Sequence, residues 1–144
     1  MQGYSGGNVA DRYLVQRIQG ASPEQLVVIL LEGAQRFLNQ ASTAIRNRDI
    51  PGKARSINKV SAIIEELTVW LDFEKGGDVA TNLARVYDWW LHELFEASQA
   101  NSPDRLDHLM NQISDIRGAW EDLHRQKSSA QPGAPVSTGE GLVG

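Results

Sequence analysis

Between Ser22 and Arg125 the large apolar residues return every three or four positions, in successive runs of about 20 residues. Side chains three and four apart share one side of a helix, so each run would bury a single stripe. Strands would need alternation at every second residue between Gly/Asn turns, and no such stretch occurs. The expected fold is all-α: an antiparallel four-helix bundle, since short connections make neighbouring helices antiparallel and let their stripes cover one another.

The sequence also marks where the helices start. Ser22 and Ser102 each precede a proline and read as N-caps, with Pro23 and Pro103 in the first turn. Gln25 completes a capping box with Ser22. The first stripe is Leu26, Leu30, Ala34, Phe37, Ala41 and Ile45, widened by Val27, Leu31 and Leu38, with Val28 near the opposite side. Gly33 costs about 1 kcal/mol against Ala inside a helix and implies close approach of another backbone. This helix runs out between Arg46 and Asp49. The second opens with Asp49 as cap and Pro51, and its stripe is Ile57, Val60, Ile64, Leu67 and Leu71, flanked by Ile63 and Trp70. Ala62, Val69 and Phe73 fall on another side.

Gly76 to Trp90 reads GGDVATNLARVYDWW. The glycines are expected to end one helix and Asp78 to cap the next. Val79, Leu83, Tyr87, Trp90, Leu94 and Ala97 form the third stripe, with Leu91 beside it. At about 100° per residue, Trp89 points well off that stripe. An aromatic that the core does not need suggests that a second chain is expected there. Leu106, Leu109, Met110, Ile113, Ile116, Trp120 and Leu123 make the fourth stripe, which fades near Arg125.

Three segments result: an N-terminal arm over residues 1–20, the helical domain over 21–126, and a tail over 127–144. Gly3, Gly6, Gly7 and Gly20 make the arm a poor helix, yet Tyr4, Val9, Tyr13, Leu14, Val15 and Ile18 are too apolar for a linker. It is expected as a strap on the helices that can be displaced to uncover a groove or dock elsewhere. The tail, rich in Ser, Pro and Gly, is expected to be disordered.

Composition narrows the function. The net charge of −4 and the lack of a Lys/Arg cluster argue against nucleic acid. With 0 cysteines, disulfides, thiol catalysis and thiolate metal sites are excluded, and a reducing cytosol fits. No run reaches the roughly 18 apolar residues of a membrane span, and no basic-then-apolar leader opens the chain, so neither membrane insertion nor a signal peptide is expected. Glu121 and His124 form the one Glu-x-x-His pair, where a di-iron bundle needs two. Asp88, His92 and Glu96 form a row on a solvated face. His92, His108 and His124 lack the nearby Lys and Gly of a phosphotransfer histidine. No enzyme activity, cofactor or metal is expected. A histidine phosphotransfer or carboxylate-metal bundle is the alternative reading. A third is a structural bundle that self-associates through Val28, Ala62, Val69 and Phe73.

Taken together, four segments resemble the FliS family of flagellar export chaperones. They are Tyr13 with Ile18 and Ala21-Ser22-Pro23; LVVILLEG over 26–33; IIEEL over 63–67; and EKGGDVATNLARVYDWW over 74–90, with a late Ala119-Trp120. The family often has Tyr-Met where this chain has Trp89 and Trp90. The resemblance implies a helical bundle in the bacterial cytosol that binds the disordered C-terminal segment of flagellin, prevents premature polymerisation and aids delivery to the type III export apparatus. It also implies that an N-terminal Tyr region contacts the export-gate protein FlhA, a role passing by position to Tyr13 and, with it, Val9 and Ile18. Exposed aromatics and apolar groups make Ile63, Leu67, Trp89 and Phe95, together with Tyr13 of the arm, the expected flagellin-binding residues. A homodimer in the absence of client fits the same exposed surface.

Overall fold

The computed structural model describes residues 4–129. They form α1 (Tyr4–Gln19), α2 (Pro23–Arg46), α3 (Ile50–Val69), α4 (Phe73–Gln99) and α5 (Pro103–Ser129), with no strand among the described residues. Two compact units divide the chain: Leu30–Arg117, and a second that joins Met1–Ile29 to Gly118–Gly144.

The caps of α2, α3 and α5 are where the sequence puts them. Ser22 Oγ accepts from the Gln25 amide at 3.1 Å, and Gln25 Oε1 accepts from the Ser22 amide at 2.9 Å, a complete capping box. Asp49 accepts from the Gly52 amide at 3.0 Å at the start of α3, and Ser102 from the Arg105 amide at 3.2 Å at the start of α5. These bonds satisfy first-turn amides that the helix itself leaves without acceptors.

In the Leu30–Arg117 unit each helix is tied to its neighbours. The Lys59 ammonium lies 5.0 Å from the centre of the Phe37 ring, joining α3 to α2. A Cβ on Gly33 would come within 3.3 Å of Ile63 Cδ1. The group that approaches Gly33 is therefore a side chain of α3, where a backbone was expected. Both pairings are symmetric about the α2–α3 turn, which makes these helices antiparallel. Helices α3 and α4 pack together, and Lys53 Nζ donates to Ser98 O and Asn101 Oδ1 at the far end of α4. Trp90 Nε1 donates to Gln112 Oε1 at 3.2 Å, and Arg105 grips Glu93 through two 2.9 Å bonds, so α4 and α5 also run antiparallel. Arg117 donates to Gln35 Oε1 at 2.8 Å, linking α5 to α2. The interior of this unit includes Leu31, Ala34, Leu38 and Ala41, Val60, Ile64 and Leu67, Ala80, Tyr87, Trp90, Leu94 and Ala97, and Leu106, Leu109 and Ile113.

The other unit holds α1, the first turns of α2 and the last turns of α5. Ser22 Oγ and His124 Nδ1 are 3.1 Å apart, and Lys127 pairs with Glu24. That ion pair holds the Glu24 carboxyl below the usual carboxylate range.

Several expectations need correction. The arm is helical from Tyr4 to Gln19 despite Gly6 and Gly7, which lie in its first turn and are followed by good helix formers such as Ala10, Arg12, Leu14, Gln16 and Arg17. Helix α4 starts at Phe73, capped by Asp72, whose carboxylate accepts from the amides of Glu74 and Lys75. The expected break survives as a kink, because Gly77 sits at φ 50° and ψ −124° inside α4. Val28 is buried and drops out of any self-association face. Val79 is exposed, and Ala80 takes its place in the core. Positions four apart drift by about 40° on each step, so Val79, eight before Tyr87, has rotated off the stripe that Ala80 keeps. Helix α5 continues to Ser129, past the fading point expected near Arg125. The rest of the expected disordered tail lies outside the described residues.

Candidate functional site

Trp89 and Phe95 are the expected contact residues that the structure brings together. Both line an open depression on α4 with Arg85, Asp88, Leu91 and His92. Trp89 is 46% exposed and Phe95 58%, although both belong to a helix whose opposite side is fully packed. The arrangement follows from adjacent positions. Trp90 is on the core stripe, and one step of about 100° turns Trp89 outward. Arg85, Asp88 and His92 place charged and polar groups between and beside the two rings, so the surface mixes apolar and polar contacts. Such a surface suits a side-chain-rich protein segment better than a small molecule.

The α3 candidates separate. Ile63 is half-buried and rests over Gly33 of α2. Leu67 is only 2% exposed. It belongs to the core, because it continues the Val60–Ile64 row at spacings of four and three, so it offers no surface to a partner in this conformation. The arm candidates are all exposed, with Tyr13 at 64%. In α1, Val9 and Tyr13 stand one turn apart on one side, while Ile18 lies about 140° around from Tyr13.

Residues relevant to chemistry are dispersed. Among the described residues no three His, Asp or Glu side chains are placed to hold a metal ion. His92 and His108 are near Glu93, whose carboxyl is held below its ordinary range chiefly by the Arg105 guanidinium. His124 is half-buried and engaged with Ser22. Among the described residues no helix is long and apolar enough to cross a membrane.

Sequence reasoning set Val69 off the core stripe but missed the exposure of Trp70 and Val79. Trp70 does not flank the core stripe as expected. It caps α3 and stays partly in solvent, its Nε1 donating to Glu66 Oε2 at 2.7 Å. The available signal was the short Leu71-Asp72 connection beside Gly77, which ends one stripe before the next begins.

Comparison with known proteins identifies the family. The family model described as Flagellar protein FliS matches residues 6–127. A flagellar secretion chaperone FliS of Campylobacter jejuni is 36% identical over 110 residues, covering 76% of this chain and 86% of that protein. The protein of the same description from Salmonella typhimurium is 32% identical over 112 residues, covering 77% and 83%. That of Bacillus subtilis is 25% identical over 122 residues, covering 85% and 90%. Matched over most of its length, the chain belongs to the FliS family of flagellar secretion chaperones.

Proposed function

We propose that this chain is a cytosolic, flagellin-specific export chaperone. It binds the disordered C-terminal segment of flagellin, prevents premature polymerisation and aids delivery to the flagellar type III export apparatus. The observation that carries this reading is the pair Trp89 and Phe95, uncovered in one depression of α4 in a chain of this family. Flagellin ends assemble by packing amphipathic helices together. A chaperone that offers a substitute apolar face occupies the surface that assembly requires. Segments that fold on binding bury about 1,000–3,000 Å² and lose roughly 2–5 kcal/mol to ordering, which suits a complex that must later release its client.

The four-helix bundle belongs to the same reading, supported by the contacts among α2, α3, α4 and α5. On this reading Trp89 and Phe95 are the main client anchors, and Ile63 contributes from its half-buried seat. Leu67 would act only through the core that holds α3. Val9 and Tyr13 form the arm face offered to the export gate, FlhA, with Ile18 on a neighbouring side. The exposed aromatic surface also supports a homodimer when client is absent. No step requires catalysis.

The test is assembly itself. Flagellin monomers seeded to polymerise are followed by light scattering with the chaperone added in equimolar amount. The reading expects polymerisation to stop and a one-to-one complex to elute on gel filtration. Unimpeded assembly with no complex would overturn it.

A further inference from the structure

A second apolar surface lies where α3 meets α4, and the charges around it indicate what it fits. Val69 closes α3 at 75% exposure and Phe73 opens α4 at 54%. Trp70 lies between them, and Val79 is exposed just beyond the Gly77 kink. None of these residues belongs to the client-binding set above. Val79 is also ten positions before Trp89, about 15 Å along a helix axis, so the two surfaces can be occupied separately.

Within residues 65–79 the charged groups are Glu65, Glu66, Asp72, Glu74 and Asp78 against Lys75 alone. Two of these carboxylates are fixed in place. Glu66 accepts from the Trp70 indole, and Asp72 accepts from two amides at the start of α4. Exposed apolar residues interspersed with carboxylates along the chain favour a partner that carries apolar and cationic groups together, and they repel an acidic one. A second copy of this chain fits poorly. A two-fold interface sets a patch against itself, so the carboxylates would face each other.

We propose that the α3–α4 corner docks a basic amphipathic segment of another protein. The apolar side of that segment covers Val69, Phe73 and Val79, and its lysines or arginines lie along Glu65, Glu66, Glu74 and Asp78. The chaperone can then hold its flagellar client on α4 while this corner engages a second, basic partner.

The test uses two synthetic amphipathic peptides, one of leucine and lysine and one of leucine and glutamate, titrated by calorimetry into the full chain. The leucine–lysine peptide should bind and weaken as salt rises, and the leucine–glutamate peptide should not bind. Val69→Ser with Phe73→Ser should weaken the basic peptide at least about tenfold, the scale expected for losing apolar anchors. Glu65→Lys with Glu74→Lys should exchange the preference between the peptides. Both variants should keep the wild-type circular dichroism spectrum and their affinity for a flagellin C-terminal segment, which separates failure of this proposal from failure of the client reading. Equal binding of both peptides, or basic-peptide binding that ignores both variants, would overturn the proposal. So would a parallel loss of flagellin binding, which would assign the corner to the client, or a wild-type dimer dissolved by Val69→Ser and Phe73→Ser, which would assign it to a second copy.

Discussion

Trp89 and Trp90 are adjacent in α4 and face opposite environments. Trp90 is sealed in the core, with its indole nitrogen donating to Gln112 Oε1 at 3.2 Å and its ring 5.3 Å from that of Tyr87. Trp89 stands in an open depression with Phe95. The first tryptophan is left for a partner and the second holds the fold. Trp90→Ala should therefore lower stability by about 3–5 kcal/mol in denaturant titration, as large core truncations do. Trp89→Ala should stay within about 0.5 kcal/mol of wild type, as surface changes do.

Gly77 has a backbone conformation that side-chain-bearing residues avoid, at φ 50° and ψ −124°, yet a Cβ there would meet nothing within 4 Å. Any penalty for Gly77→Ala is then backbone strain alone, of about 1–3 kcal/mol. Gly118 is the control: it lies inside α5, a Cβ there also meets nothing within 4 Å, and its φ is not positive. Gly118→Ala should stabilise by about 0.4–1 kcal/mol. Chemical denaturation of the pair should give opposite signs.

Burial pushes the Tyr87 phenol up to about 12 from its ordinary 10.0. The unfolded chain ionises first as pH rises, so Tyr87 contributes stability below about pH 10 and loses it between about pH 10 and 12. The loss should reach about 3 kcal/mol by the upper limit, because each tenfold difference in proton affinity between the folded and unfolded chain is worth about 1.36 kcal/mol. Tyr87→Phe should flatten that part of the stability–pH curve, measured by denaturant titration across it.

Ser22 serves two partners, since it caps α2 through Gln25 and meets His124 of α5. Ser22→Ala should cost about 1 kcal/mol, the usual value of an N-cap. Hydrogen exchange should show the loss first in the amides of the opening turn of α2, while the core amides around Trp90 keep their protection.

Most of the helical plan was legible in the sequence. The caps at Ser22, Asp49 and Ser102 were legible because each uses a side-chain acceptor within three residues of the amide it serves. The outward turn of Trp89 was legible from helical geometry alone. Three features were not. A strict four-residue row includes Val79, but such a row drifts off a 3.6-residue helix, and the core position goes to Ala80. Leu67 was assigned both to the α3 stripe and to the partner surface, and only packing decides between them by sealing it in the core. The helicity of α1 was hidden by Gly6 and Gly7, because local propensity is a weak prior that the rest of a segment can override.

The most direct test is calorimetric titration of a flagellin C-terminal segment into wild-type chaperone and into the double variant Trp89→Ala, Phe95→Ala. The account predicts one-to-one saturation for wild type and affinity at least about tenfold lower for the variant, with the folding midpoint unchanged. Equal affinity for both proteins would remove the α4 depression from the binding site, and absence of binding to wild type would contradict the chaperone reading itself.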